Sequence, residues 1–128
     1  MSIERIFPHD APTPRGPYSP AVRAGDFIYV SGQGPIDPKT DKLLSSADIK
    51  QQTHQVLANI RRILETAGAS MKDVVKCSVF LKNGSDFKEM NEVYTEYFGT
   101  DRPARTTVAC EFVSDMLVEI DCVAYKPR

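Results

Sequence analysis

Arg105 is the residue whose chemistry is hardest to explain as packing. It stands in Arg102-Pro103-Ala104-Arg105-Thr106-Thr107-Val108-Ala109-Cys110-Glu111-Phe112, a run that alternates as a strand entered through a proline. A guanidinium is permanently charged and offers a planar fork of donors that grips a carboxylate or phosphate with two parallel hydrogen bonds. The same residue at a strand end also serves in a surface ion pair. The final apolar run supplies a second candidate. Glu119 and Asp121 are two residues apart, so on a strand they point the same way at about 7 Å, and their repulsion raises the pKa of one. A raised carboxyl suits proton transfer, whereas a pair of solvated acids on an open sheet face needs no function. Asn91 is the third anomaly, an amide in the helical stripe Phe87, Met90, Asn91, Tyr94, Tyr97, Phe98. Such a group binds backbone at a packed junction or faces a polar pocket, because leaving it unsatisfied costs about 1–3 kcal/mol.

Two further positions are set by their neighbours. Pro8, Pro12, Pro14, Pro17 and Pro20 forbid a regular helix from 8 to 20 and restrict the backbone around Tyr18. That loop either presents one aromatic in a fixed direction or plugs the sheet edge with it. Ser31 and Gly32 come where a strand breaks at Gly32-Gln33-Gly34-Pro35, which leaves backbone open to close approach. The serine hydroxyl there serves a ligand or its own turn.

The elements that must hold these residues follow from periodicity. Residues 21–23 and 27–31 form a hairpin around Ala24-Gly25-Asp26, and residues 37–42 form a polar turn. Ser46-Ala47-Asp48 caps a helix whose stripe runs Ile49, Val56, Leu57, Ile60, Ile63, Leu64, Ala67 and which Gly68 ends. His54, near its polar side, has no carboxylate or nucleophile at a telling spacing and reads as a surface histidine. Ser70 to Asp73 make a short capped turn into a strand over 74–81, with Val75, Cys77, Val79 and Leu81 toward the core. The second helix begins at Ser85 or Asp86, with Glu89 placed for a capping box. On the arginine strand Thr106, Val108, Cys110 and Phe112 form the face fit for a core, and Arg105, Thr107 and Ala109 the other. The last strand turns Val118, Ile120, Cys122 and Ala124 inward.

The order strand, strand, helix, strand, helix, strand, strand predicts an α+β domain spanning 1–128, a mixed sheet with both helices on one face. Its other face gathers Tyr29, Phe80, Ala109, Leu117 and Val123 with Arg105, Ser31, Glu119 and Asp121. That mixture is too apolar for open water and too charged for a sealed core. A homo-oligomer whose sheets meet around an axis covers it and leaves crevices between subunits. A net charge of -1 without long runs of either sign leaves no electrostatic footprint for nucleic acid or an anionic membrane. Cys77, Cys110 and Cys122 lack CxxC spacing and sit in apolar strand runs as small buried hydrophobes. Residues 1–5 lack the apolar segment of a signal peptide, and no run reaches membrane-spanning length. A soluble, reducing, cytoplasmic setting is therefore the expectation.

Gly16-Pro17-Tyr18, Val30-Ser31-Gly32-Gln33, the Asn91 helix, Pro103-Ala104-Arg105 and Val118-Glu119-Ile120-Asp121 together resemble the Rid family of imine deaminases, RidA type. The resemblance runs nearly end to end, and the Pro-Ala-Arg strand is its most specific mark. It implies a chorismate-mutase-like fold, a homotrimer with three sites between subunits, and hydrolysis of reactive 2-imino acids such as 2-iminobutanoate and 2-iminopropanoate. It further implies that Arg105 holds the substrate carboxylate, that Glu119 orders or activates the attacking water, and that Tyr18, Ser31, Gly32 and Asn91 shape the pocket. No metal or cofactor is required, since imines already hydrolyse in water. Many members carry a cysteine two residues after the arginine where this chain has Thr107, which argues against any role needing a thiol but leaves Thr107 a substrate-binding residue whose hydroxyl can hydrogen-bond and bear on which imine fits. Two other readings stay open. One is a deaminase of a larger unsaturated amino or imino acid such as 2-aminomuconate. The other is a non-catalytic trimer that binds a small carboxylate. A ribonuclease or translation inhibitor is disfavoured by the lack of a basic patch or paired catalytic histidines.

Overall fold

The chain's two longest strands, β6 (Val74–Leu81) and β8 (Val118–Tyr125), lie antiparallel at the centre of a six-stranded sheet. The computed structural model describes residues 2–128; Met1, the first residue of the stretch read for a signal peptide, lies outside them. β3 (Phe27–Gln33) flanks β8 on the other side, followed by β2 (Ala21–Ala24) and β1 (Ile3–Ile6). Gly25, at φ +61°, supplies the left-handed residue that the β2–β3 turn needs. β4 (Ile36–Asp37) and β5 (Lys42–Leu43) pair as a separate small hairpin, so the polar turn expected over 37–42 is the tip of a β-ribbon.

All neighbouring strands run antiparallel except β6 and β7 (Ala104–Ala109), which are parallel. A parallel pair needs a crossover, and α2 (Phe87–Phe98) is that crossover. α2 packs beside α1 (Ile49–Thr66), so one sheet face is roofed by helices and the other is open. Val56, Leu57, Ile60, Ile63 and Leu64 from α1 and Met90 and Val93 from α2 meet Ile28, Cys77, Val79, Val118, Ile120 and Ala124 of the sheet, all essentially inaccessible to solvent. Such burial stabilises the chain by about 1.5–3 kcal/mol per large aliphatic side chain. Asp48 is the residue that caps α1: its Oδ1 accepts from the Gln51 N–H at 2.8 Å, and Gln51 Oε1 accepts from the Asp48 N–H at 3.2 Å.

Several expectations change. The capping box at α2 does not form: a tight turn over Gly84–Asp86 runs straight into the helix, and neither Asp86 nor Ser85 caps it through its side chain. Val74, not Val75, joins the core. The β6–β8 register slips between Val74↔Ala124 and Lys76↔Val123, and this bulge turns Val75 outward to 45% exposure. Cys110 lies just past β7 and is half-buried, unlike Cys77 and Cys122. Leu117 packs against the core instead of the open face.

The largest correction concerns β7. Its register with β6 pairs Cys77↔Arg105, Val79↔Thr107 and Leu81↔Ala109. Paired residues point to the same side of a sheet, so Arg105, Thr107 and Ala109 belong to the helix-roofed side with the core residues of β6. Thr106 and Val108 take the open side, where Val108 is 43% exposed. The alternation was correct in period and inverted in sense.

Candidate active site

The roofing helix gives Arg105 its surroundings. Nη1 donates to Asn91 Oδ1 at 2.8 Å, and the guanidinium carbon lies 4.7 Å from the Tyr94 ring centroid and 5.6 Å from that of Phe87. Asn91 and Tyr94 are three residues apart on α2 and face the same strand. One of five guanidinium N–H donors is thus satisfied by a neutral amide, and two aromatic rings offer their negative faces to the cation. The ring of Tyr94 is 6% exposed. Its buried hydroxyl, beside the Cys77 thiol, has no hydrogen-bond partner of ordinary geometry among the described residues. Burial and then the thiol push the Tyr94 pKa up, and burial raises Cys77 to about 11, so both neighbours of the cation stay neutral. Asn91, Tyr94, Thr95, Arg102, Pro103 and Arg105 line an open cavity of about 310 Å³. No carboxylate pairs with Arg105 among the described residues. Its fork is held, oriented and unneutralised.

Glu119 belongs to a different cavity, of about 350 Å³, on the other side of the sheet. The β3–β8 ladder slips between Val30↔Cys122 and Gln33↔Ile120, so Ser31 and Gly32 form a bulge opposite one residue of β8. Gly32 makes room for the carboxyl: a Cβ there would sit 2.5 Å from Glu119 Oε2 and 2.9 Å from Cδ. The carboxyl therefore lies directly over the bulge backbone. Burial, and secondarily the Asp121 charge, push the Glu119 pKa up from its ordinary value. The Pro-rich arm closes the cavity. Ser31 Oγ donates to the Ser19 carbonyl at 2.6 Å, the Ser31 N–H to the Pro20 carbonyl at 3.0 Å, and the Arg15 N–H to the Tyr18 hydroxyl at 3.1 Å. Ser31 thus fastens the arm to the bulge while its oxygen keeps lone pairs free to accept.

The residues singled out in the sequence fall into two sets. Tyr18, Ser31, Gly32 and Glu119 share the bulge cavity. Asn91 and Arg105 share the other, and Thr107 is half-buried on the same strand face as Arg105. The expectation that Arg105, Ser31, Glu119 and Asp121 share one face does not hold, because the β7 register sends Arg105 to the helices. Sequence reasoning also missed two supports. Gln52, fully buried, accepts from the Leu117 N–H at 2.8 Å and donates to the Ala47 carbonyl at 2.9 Å. Asn59 donates to the Ile36 carbonyl at 2.8 Å. Both tie α1 to loops that border the Glu119 cavity. The signal was available: each is an amide within the apolar stripe of α1, the same anomaly that Asn91 presents in α2.

Comparison with known proteins places the chain in a family. The family model for endoribonuclease L-PSP matches residues 8–126. A RutC family protein of Pyrococcus horikoshii is 53% identical over 96% of this chain and 98% of its own length. The 3-aminoacrylate deaminase RutC of Acinetobacter baylyi is 42% identical, covering 98% and 99%. The 2-iminobutanoate/2-iminopropanoate deaminase of Dermatophagoides farinae is 38% identical, covering 96% and 97%. The crystal structure of RidA from the Antarctic bacterium Psychrobacter sp. superimposes with a TM-score of 0.91 at 39% identity, covering 95% of this chain and 98% of that one. With a match over nearly its whole length in sequence and in fold, the chain belongs to the endoribonuclease L-PSP family, the family of the Rid proteins, some of whose members are named deaminases.

Proposed function

We propose that the protein is a hydrolytic deaminase of 2-imino acids that acts as a homotrimer, each site being completed by Arg105 of one copy and Glu119 of its neighbour. The observation that carries this reading is the separation of the two half-sites by the sheet itself. Arg105 is an unneutralised anion grip with no acid or base in its cavity, and Glu119 shares its cavity with no cation but Arg15 of the Pro-rich arm, whose Nη2 already donates to the Asp41 carbonyl. Neither half alone joins a free guanidinium fork to a proton-handling carboxyl. The open sheet face supports an assembly: Tyr29, Tyr125, Val108 and Phe27 are 48%, 46%, 43% and 38% exposed, and a second copy removes that apolar surface from water. Val113, beside the Glu119 cavity, is fully exposed and is available to be covered in the same way.

In the assembled site the fork of Arg105 binds the substrate carboxylate in two parallel hydrogen bonds, with Asn91 and the Tyr94 ring fixing its plane. Water attacks the imine carbon as Glu119 takes one of its protons and passes it to the imine nitrogen, giving the carbinolamine; Glu119 then takes the carbinolamine hydroxyl proton as the carbonyl forms and delivers it to the nitrogen as the carbon–nitrogen bond breaks. A 2-keto acid and ammonia leave, no electron is transferred, and Glu119 ends as it began. A carboxyl whose pKa is raised by burial performs both proton transfers better than an ordinary one near neutrality. Tyr18 and Ser31 border the reacting centre, and Thr107, with a hydroxyl where a thiol is common among relatives, leaves this sequence of steps unchanged.

Mixed assembly tests it. Arg105→Ala and Glu119→Ala are each expected to abolish acceleration of imine hydrolysis, measured with a threonine dehydratase supplying 2-iminobutanoate and semicarbazide trapping what remains. Co-refolded in equal amounts, the two inactive variants regain about a quarter of wild-type activity, since random mixing pairs an intact Arg105 with an intact Glu119 at that fraction of interfaces. No recovery, with wild type active and both variants trimeric, overturns the shared site. An inactive wild type that still binds 2-keto acids leaves the non-catalytic carboxylate binder in its place.

A further inference from the structure

The Glu119 cavity is lined by just two charged residues, Glu119 and Arg15. Gly32 lies against the carboxyl, Gly34 lies against Met116 and Leu43, Leu43 pairs with Ile36 on the small hairpin, and Arg15 of the Pro-rich arm meets that hairpin at Asp41. That arm is not a loose end. The Thr13 N–H donates to Asp41 Oδ1 at 3.3 Å, and Arg15 donates through Nη2 to the Asp41 carbonyl, which fastens residues 13–15 to the tip of the β4–β5 hairpin. Nη2 meets a neutral carbonyl, and Arg15 forms no ion pair among the described residues. A cation that served only to clip the arm would need no place in the cavity wall.

We infer that Arg15 is a tail subsite, and that the preferred substrate is a 2-imino acid whose side chain ends in a second carboxylate. This rests on the deaminase reading above. A volume of about 350 Å³ lies within the roughly 300–1,000 Å³ of ligand pockets and is generous for an imino acid with only a methyl or ethyl side chain. A short aliphatic chain laid along Ile36, Leu43 and Met116 carries its terminal anion toward Arg15, while Arg105 of the neighbouring copy holds the carboxylate next to the imine. Two arginines from two chains then read the two ends of one substrate, and its length becomes the selected property. The reaction is unaltered: water adds at the imine carbon, the carbon–nitrogen bond breaks, and the distal carboxylate takes no part.

Paired substrates decide the matter. A flavin-dependent amino acid oxidase generates 2-iminobutanoate from 2-aminobutyrate or 2-iminoglutarate from glutamate in place, and acceleration of keto acid release is measured for wild type, Arg15→Gln and Arg15→Lys. Wild type is expected to favour the dicarboxylate, the ratio of the two kcat/KM values to fall about 10- to 100-fold in Arg15→Gln, as loss of a charge-assisted contact implies, and Arg15→Lys to restore part of it. An equal loss on both substrates makes Arg15 an arm clip only and overturns the inference, as does a wild type without preference whose ratio does not move. A wild type inactive on both substrates sinks the deaminase reading instead. Calorimetric titration with glutarate and butyrate then tests the subsite directly: it stands if Arg15→Gln selectively weakens glutarate and falls if the two ligands respond alike.

Discussion

The two proposed half-sites are built by opposite means. On the helix-roofed side the functional group is a permanent charge, and the structure restrains it: an amide on Nη1, two aromatic rings around the guanidinium, and a regular helix and strand beneath. On the bulge side the functional group is titratable, and the structure tunes it by removing water and placing a second acid nearby. The regular elements serve geometry, and the irregular ones serve proton affinity. Each choice suits its group, since an arginine cannot be usefully deprotonated and has only its direction to offer, while a carboxyl is useful through its pKa.

That contrast predicts different sensitivities to conservative changes. Arg105→Lys keeps the charge and loses the fork, so on the restrained side a like-for-like substitution is expected to be severe. The lone ammonium cannot donate two coplanar hydrogen bonds to a carboxylate while keeping Asn91. We expect kcat/KM to drop about 100-fold with the oligomer unchanged by size-exclusion chromatography. A drop of less than about threefold would mean that charge alone suffices and that the amide–aromatic cradle is incidental.

On the bulge side the smallest possible change suffices. Gly32→Ala places a methyl carbon 2.5 Å from Glu119 Oε2, and the carboxyl must rotate away. The atoms met belong to a flexible side chain, so the fold yields at little cost, whereas the proton-transfer geometry does not. The expectation is a fall in kcat of about tenfold with Tm within a few degrees of wild type. A large fall in Tm with unchanged kcat would show Gly32 to be a packing requirement of the bulge.

The same contrast explains what could be read from sequence. Period-2 and period-3.6 patterns located the long strands and both helices, and β8 was assigned to its faces correctly because Val118, Ile120, Cys122 and Ala124 are uniformly apolar against Glu119 and Asp121. β7 offered no such asymmetry. Thr106 and Val108 look more apolar than Arg105 and Thr107, yet the register with β6 and the position of the crossover α2 decide which side is roofed. The arginine's half-buried place is stabilised by partners 11 and 14 residues earlier in the chain, Tyr94 and Asn91, which alternation within β7 does not encode. Bulges hide for a related reason. One extra residue at Val75 and one at Ser31-Gly32 shift the pattern locally without leaving a mark in composition, and the second of them creates the Glu119 cavity. The residues proposed for the two catalytic half-sites could be named from the sequence, whereas Arg15 could not. Nor could the division of the half-site residues between two faces.

The smallest effect expected separates stability from activity at Glu119. A carboxyl whose pKa is raised on folding holds its proton more tightly in the native state than in the unfolded chain. Below the ordinary carboxylate pKa of about 4.3 both states are protonated and the group contributes no difference. As pH rises through the interval between the unfolded and the raised native value, the unfolded chain releases the proton first, so stability falls across that window and then levels off. Glu119→Gln has no proton to lose. Its Tm is expected to match wild type near pH 4 and to exceed it increasingly toward pH 7, by a few degrees at most, while imine hydrolysis is lost throughout. Thermal melts of both proteins at matched ionic strength across that range would read the difference directly. A constant Tm offset would place the Glu119 pKa at its ordinary value and leave burial over Gly32 without a role in tuning it. An offset that opens with pH while activity disappears would mark Glu119 as a group held at a cost to stability for the sake of proton transfer.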